Sequence, residues 1–293
     1  MKLVTFEDEY GAQYPGVVTG EHVVRLPYDN MRSVFEADEG ELHVALEARD
    51  PGMRLDRVRL RAPIAPKKLI HTAGNFAEHE TEFQSAGFDF KLRNVVYLQN
   101  VDAIVGPDDA IVYPDHLTKE LDYELELAVV IGKAGKDFTR EDALDYIGGY
   151  LIFNDITARD IQREELESGC FGFCKAIDTF CPIGPWIVTP DEIGDVRNLA
   201  MELRVNGEVR QSSNSGRMRT TVEDILANYS PMGYSAGDIV TTGTVAGVAG
   251  FRTDGQDFYL QPGDVVECEI GGIGVLRNTV VDRAGVEKGG ASQ

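Results

Sequence analysis

Residues 121–132, LDYELELAVVIG, place two acidic side chains at alternate positions and then run through AVVI without a polar break. Read as a β-strand, the segment projects Glu124 and Glu126 to one face and Tyr123, Leu125 and Leu127 to the other, because side chains alternate along a strand. The uninterrupted apolar run that follows is the pattern of a strand covered on both faces. The chain must therefore fold around a deeply buried strand that carries a carboxylate pair at its start. Two readings are open here: an edge strand whose acids face water, or a buried pair compensated by a divalent cation, since unpaired buried charges are costly.

Asp155 supports the second reading. It follows the apolar run YLIF and Asn154 at the end of another predicted strand. Three carboxylates, Glu124, Glu126 and Asp155, offer hard oxygen ligands suited to Mg2+ or Mn2+, with positions left for water or substrate. The cluster as read contains no Cys or His, which disfavours zinc. Asp155 has an alternative task as the N-cap of the helix that starts in ITARDIQREELESG, where Thr157 competes for the same role.

Many short strands and few helices imply a mixed α/β fold that is mostly β. Strands are expected near 68–73, 110–113, 121–131, 150–154, 186–188, 201–205, 238–242 and 264–270, and helices at 77–86, 140–147, 158–168 and 222–229, with a partly helical stretch over 30–48. Asn206 and Gly207 between two strand-like runs read as a tight hairpin turn. The helices that a Rossmann fold or an α/β barrel needs between its strands are missing. Pro63 and Pro66 mark 59–68 as a linker. The expected organisation is a small N-terminal domain at 1–62, a larger domain at 63–284 and a loose tail at 285–293.

A net charge of −21 argues against a nucleic acid backbone or an anionic membrane as partner. It permits an anionic substrate, because a bound cation and a few local Lys or Arg side chains can invert the field within one cleft. An acidic surface that stays hydrated in high salt is the other reading of the same charge. Four cysteines in 293 residues are too few for a disulfide framework. With no apolar run at the start and no 18-residue apolar stretch, a cytoplasmic location is expected.

Three further segments carry chemistry. In HTAGNFAEHETEF, residues 71–83, Gly74 and Asn75 mark a turn, and the following helix puts His79 and Glu82 three residues apart on one face. Such a pair is either an acid–base couple, with the carboxylate holding the imidazole, or a solvated surface pair. In CFGFCKAIDTFCPIGPW, residues 170–186, Lys175 sits in apolar company and needs an anion, either a substrate carboxylate or enolate, or Asp178. TTGTVAGVAG, residues 241–250, is a Gly- and Thr-rich loop able to present backbone N–H groups to an anion, without the ending of a nucleotide loop.

Taken together, GNFAEHETE, LDYELELAVVIGKAGKD, GGYLIFNDITARDIQ, PIGPWIV, VNGEVRQ, GDIVTTGT and PGDVVECEIGGIGVLRN resemble the fumarylacetoacetate hydrolase family over about residues 65–281. The resemblance implies a β-roll core, commonly a homodimer, with a smaller N-terminal domain. It implies a divalent metal on Glu124, Glu126 and Asp155, a general base formed by His79 and Glu82, and Lys175 acting on the substrate. Asn75, Gln162, Thr244 and Arg217 are the expected substrate-binding set. The sequence departs from the family pattern at Val245 after Gly243 and Thr244, at Ser213–Met218, and at YLQN, residues 97–100, where a Phe-x-Lys segment is usual. The activity implied first is hydrolysis of a C–C bond in a 2,4-dioxo acid to pyruvate and a second acid. The alternatives are decarboxylation of an oxaloacetate-type acid, or isomerisation or dehydration of a related 2-oxo acid. A non-catalytic binding protein on the same fold is the remaining reading.

Overall fold

The strand Leu125–Ile131 is buried at all seven positions. This computed structural model describes residues 1–37, 52–85, 95–170 and 172–283. Leu125–Ile131 lies inside a 12-stranded sheet. It pairs antiparallel with Ile147–Asn154 on one side, Glu126 opposite Phe153, and with Ile239–Thr241 on the other, Ala128 opposite Thr241. Its alternation divides two cores: Leu125, Leu127, Val129 and Ile131 enter one apolar cluster, whereas Ala128 and Val130 enter the second. Glu126 shares the parity of Ala128 and Val130, so it occupies the polar end of an otherwise apolar row.

Beyond Ile239–Thr241 come Leu69–Ala73 in parallel pairing and Val95–Gln99 in antiparallel pairing, the latter setting His71 opposite Tyr97. A five-stranded sheet runs in the order Glu208–Asn214, Ala200–Val205, Val265–Ile270, Gly274–Asp282, Ala110–Tyr113. Its Leu203, Val266, Cys268 and Val280 share the larger apolar cluster with Leu125 and Leu127. The expected hairpin is present: Val205 pairs with Glu208, and Asn206 and Gly207 both take positive φ, 54° and 79°, as a two-residue turn of this kind requires.

Two expectations need correction. The 140–147 segment is no α-helix; a short 3-10 turn spans Ala143–Tyr146, and Ile147 already belongs to a strand through its pairing with Ile131, so sheet pairing takes the residues a helix would need. The segment read as a linker opens with the strand Arg59–Arg61, which pairs with Lys2–Glu7. Lys2–Glu7 in turn pairs with Cys181–Val188, Leu3 opposite Ile187, so the N-terminal strands continue the large sheet. Of the 30–48 stretch, Met31–Glu36 is helical with Asn30 as its cap, and the remainder past residue 37 lies outside the described residues. The expected tail also lies outside them. No helix among the described residues is long and apolar enough to cross a membrane.

Candidate active site

Two strand ends are laced together where the acids meet. The Asp155 N–H donates to the Glu124 carbonyl at 2.9 Å, and the Glu124 N–H donates to Asn154 Oδ1 at 3.0 Å. This pairing sets Glu124 beside Asp155 although 31 positions separate them in the chain. Glu126 enters from the central strand, and the Gly243 N–H of the Gly–Thr loop donates to its Oε2 at 3.1 Å. All three acids are buried, at 5%, 2% and 1% relative exposure for Glu124, Glu126 and Asp155, which removes the solvated edge-strand reading.

Lys175 turns into this cluster and away from Asp178. Its Nζ lies 2.5 Å from Asp155 Oδ2, 3.0 Å from Glu124 Oε2 and 2.7 Å from Thr157 Oγ1. Burial opposes its charge, but Asp155 and Glu124 outweigh that and hold the ammonium above its ordinary range. Asp155 is likewise subject to burial, overcome by Lys175 and His71, which keep its carboxyl well below the ordinary range. At Glu126 burial, then Asp155 and Glu124, outweigh the Thr241 hydrogen bond and Lys175 and push its carboxyl well above the ordinary range. An acid held up in this way, beside a carboxylate oxygen, Asp155 Oδ1, that is buried without a hydrogen-bond partner among the described residues, is the donor set a divalent cation fits. The residues present therefore accommodate such an ion.

The expectation that the cluster lacks histidine is overturned. His71, fully buried, offers a ring nitrogen that lies with one oxygen each of Glu126 and Asp155 inside a mutual span of 4.8 Å. Glu124, expected in that set, has its carboxylate engaged by Lys175 and by Arg159, whose Nη2 lies 2.6 Å away. Arg159 was not anticipated either. It is 2% exposed, donates from Nε to Asp122 Oδ2 at 2.7 Å and from Nη1 to Gln162 Oε1 at 2.8 Å. Asp122 also accepts from the Ala249 and Gly250 N–H groups at 2.9 and 2.8 Å. The signal for Asp122 was present, since Asp122, Glu124 and Glu126 fall at one parity, whereas nothing in a lone Arg or a lone His within KLIHTAG marks it as buried.

His79 and Glu82 meet as expected, Nδ1 to Oε2 at 3.3 Å, with Glu82 also accepting from the Gly247 N–H at 2.9 Å. His79 is 8% exposed, so the surface-pair reading fails for it. Phe251 joins the two halves of the site: its ring centroid lies 5.5 Å from that of His79 and 5.1 Å from the Arg159 guanidinium carbon. The loop from Gly243 to Gly250 thus touches Glu126, Glu82 and Asp122 at once.

The remaining expected residues divide. Gln162 is placed by Arg159. Asn75 is a clamp: its amide donates to the Thr220 and Thr242 carbonyls at 3.0 and 2.9 Å, and its Oδ1 accepts from the Thr220 N–H at 2.7 Å. Every one of these partners is backbone, so the side chain is spent on holding loops. Thr244 donates to the Leu125 carbonyl at 3.1 Å and accepts from Gln211 at 3.2 Å, which fixes the loop on the central strand. Arg217 is exposed and paired with Glu78. Gln99, within the departing YLQN segment, donates to the Lys175 carbonyl at 2.7 Å.

Gly250 packs flat on Arg159: a Cβ there would fall 2.6 Å from both its Cδ and its Nε. Because Arg159 is held by two carboxylates, it cannot swing aside. Gly250→Ala is expected to cost about 1–3 kcal/mol by overpacking and to lower turnover, read by urea denaturation and a parallel assay; unchanged stability would show that Arg159 has slack.

A β-roll that buries metal-competent acids beside a His–Glu pair and two cations defines an enzyme acting on a small anionic substrate. Residues 68–281 match the fumarylacetoacetate (FAA) hydrolase C-terminal family, and the chain belongs to that family of 2-oxo and dioxo acid enzymes. A mitochondrial oxaloacetate tautomerase of Rattus norvegicus, Fahd2a, is 39% identical over 256 residues, covering 86% of this chain and 79% of the relative. Among solved structures, a fumarylacetoacetate hydrolase from Exiguobacterium antarcticum is 37% identical with a TM-score of 0.79, covering 97% of this chain and 100% of that one. A 5-carboxymethyl-2-hydroxymuconate delta-isomerase from Mycobacterium smegmatis is 30% identical with a TM-score of 0.77, at 97% and 100% coverage.

Proposed function

We propose that the protein is a divalent-metal-dependent isomerase that interconverts the enol and keto forms of a small 2-oxo acid of the oxaloacetate type. This reading displaces C–C hydrolysis, the activity first expected. The observation that carries it is the 39% identity to the rat oxaloacetate tautomerase, sustained over 86% of the chain. The similarity to the Mycobacterium smegmatis isomerase points the same way.

Glu126 and Asp155 would hold the cation, Mg2+ or Mn2+, and Glu124, whose carboxylate Lys175 and Arg159 engage, would complete the carboxylate set. When bound, the cation supplies Lewis-acid stabilisation of negative charge on the 2-oxo oxygen. Enol–keto exchange then requires one proton to move between C3 and that oxygen, with no attacking water. His79 is the group suited to carry it, its Nδ1 held by Glu82 and its ring packed against Phe251, so that the imidazole is oriented for proton transfer. Lys175 and the Arg159-oriented Gln162 supply positive charge and a hydrogen-bond donor for the substrate's carboxylate groups in an otherwise acidic protein.

Hydrolysis is the second reading, supported by the structural similarity to the Exiguobacterium hydrolase; there His79 would take a proton from water. The two separate in one experiment. With Mg2+ or Mn2+ present, the enzyme is expected to accelerate decay of the enol absorbance of oxaloacetate without releasing pyruvate, and to leave acylpyruvates intact. Cleavage of an acylpyruvate, with enol decay at the buffer rate, would overturn the tautomerase reading in favour of hydrolysis. His79→Ala is expected to lower kcat by about 10²–10⁴-fold, the usual contribution of a positioned acid–base group, while divalent-ion affinity is retained.

A further inference from the structure

His71 has a chemistry that the proposed reaction leaves unused. It lies on the strand Leu69–Ala73, follows Leu69 and Ile70, and is 0% exposed. Its ring stacks on Tyr97 at 5.1 Å and meets Phe153 edge-on at 4.8 Å. Within this sleeve Nδ1 has only long hydrogen-bond contacts, and Nε2 has none among the described residues. Nδ1 lies 3.3 Å from the Tyr97 hydroxyl, 3.4 Å from Asp155 Oδ2 and 3.5 Å from Thr241 Oγ1, at the long end of the range. Asp155 Oδ1 likewise has no partner among the described residues. A buried imidazole left unsatisfied in either tautomer is costly, and a purely structural role would be filled better by an apolar side chain.

We infer that His71 is itself a ligand of the metal site, which makes the centre a mixed imidazole–carboxylate site and selects a transition-metal ion such as Mn2+, Fe2+ or Co2+ over Mg2+. Its ring nitrogen, Glu126 and Asp155 already lie within a mutual 4.8 Å. A first-row transition ion accepts an imidazole nitrogen alongside carboxylates, whereas Mg2+ prefers oxygen and holds its water. The inference rests on the reading of Glu126 and Asp155 as metal ligands, and it adds a nitrogen that three carboxylates alone would not supply.

The test uses the full-length protein loaded with Mn2+ and examined by pulsed electron paramagnetic resonance. The wild type is expected to show nitrogen-14 modulation from a directly bound imidazole. His71→Gln should lose it with Mn2+ still bound, and His79→Gln should keep it. In competition dialysis the preference for Mn2+ over Mg2+ should fall about tenfold or more in His71→Gln, the scale on which even indirect ligand contacts act. Mn2+ bound by the wild type without nitrogen modulation would overturn the inference and leave the carboxylate site standing, as would modulation lost in His79→Gln instead. A wild type that binds no Mn2+ and no Mg2+ would overturn both. The wild-type spectrum decides the matter even if His71→Gln does not fold.

Discussion

Glu126→Gln is expected to abolish turnover and yet stabilise the ion-free protein. The loss should reach about 10³-fold or more, the weight of several kcal/mol of Lewis-acid stabilisation. The stability change has the opposite sign because burial and the neighbouring Asp155 and Glu124 raise the Glu126 carboxyl above its ordinary value of 4.5. The folded chain therefore holds a proton that the unfolded chain releases, so stability in chelator falls as pH rises above 4.5. Asp155 acts in the other window: its lowered carboxyl contributes stability that is complete above its ordinary value of 3.8 and is lost as pH falls below it.

Gln cannot ionise, so the variant escapes the penalty at Glu126. Urea unfolding in chelator at pH 5 and pH 8 should show the wild type weakening with pH and Glu126→Gln weakening less. Saturating divalent ion at about a thousand times its dissociation constant should add about 4 kcal/mol to the wild type at pH 8 and far less to the variant. Equal activity in the variant, or a wild type indifferent to chelator, would remove the metal from the account of this site.

Arg159→Met is expected to destabilise the fold by about 3–5 kcal/mol, since removing one partner of a buried ion pair strands the others. Asp122 is 0% exposed and would keep backbone N–H donors, from Tyr123, Ala249 and Gly250, but no cation, and Glu124 would keep Lys175. Gln162 would lose the donor that fixes its amide, so substrate affinity should fall as well. Adding Asp122→Asn to Arg159→Met should recover part of the stability, because the stranded charge is removed and the two sites couple directly. Denaturant unfolding of the two single variants and the double variant measures that coupling. A cost below about 1 kcal/mol, the range of a solvated pair, would show that the cluster is hydrated.

Much of the sheet was legible from periodicity alone. The run from Ala128 to Ile131 reads as a strand buried on both faces because it has no polar alternation, whereas the acids before it left an edge strand open. The Asn206–Gly207 turn follows from the positive φ that both residues tolerate. The 140–147 segment failed because Thr139 and Asp142 do form a local hydrogen bond at 2.9 Å, as a helix start would, while the competing claim of strand pairing on Ile147 is non-local. Arg59–Arg61 failed in the same way: the prolines after it mark a bend, and its pairing with Lys2–Glu7 spans more than fifty residues of chain.

The sequence by itself determined the chemistry available: a same-parity acid row, an acid at the next strand end, a His–Glu pair at helical spacing and a glycine loop, each dictated by the local geometry of one element. Only the tertiary structure decided how these parts share one site. Lys175 turned to Asp155 and not to Asp178, Arg159 claimed Asp122 and Glu124, Asn75 was spent on loop carbonyls, and His71 joined the acids through strand neighbours far away in the chain. The physical reason is that alternation and helical pitch fix a side chain's direction relative to its own backbone, whereas burial, the partner of a buried charge and the dielectric around it depend on which strands lie alongside, and that is set by the packing of the whole sheet.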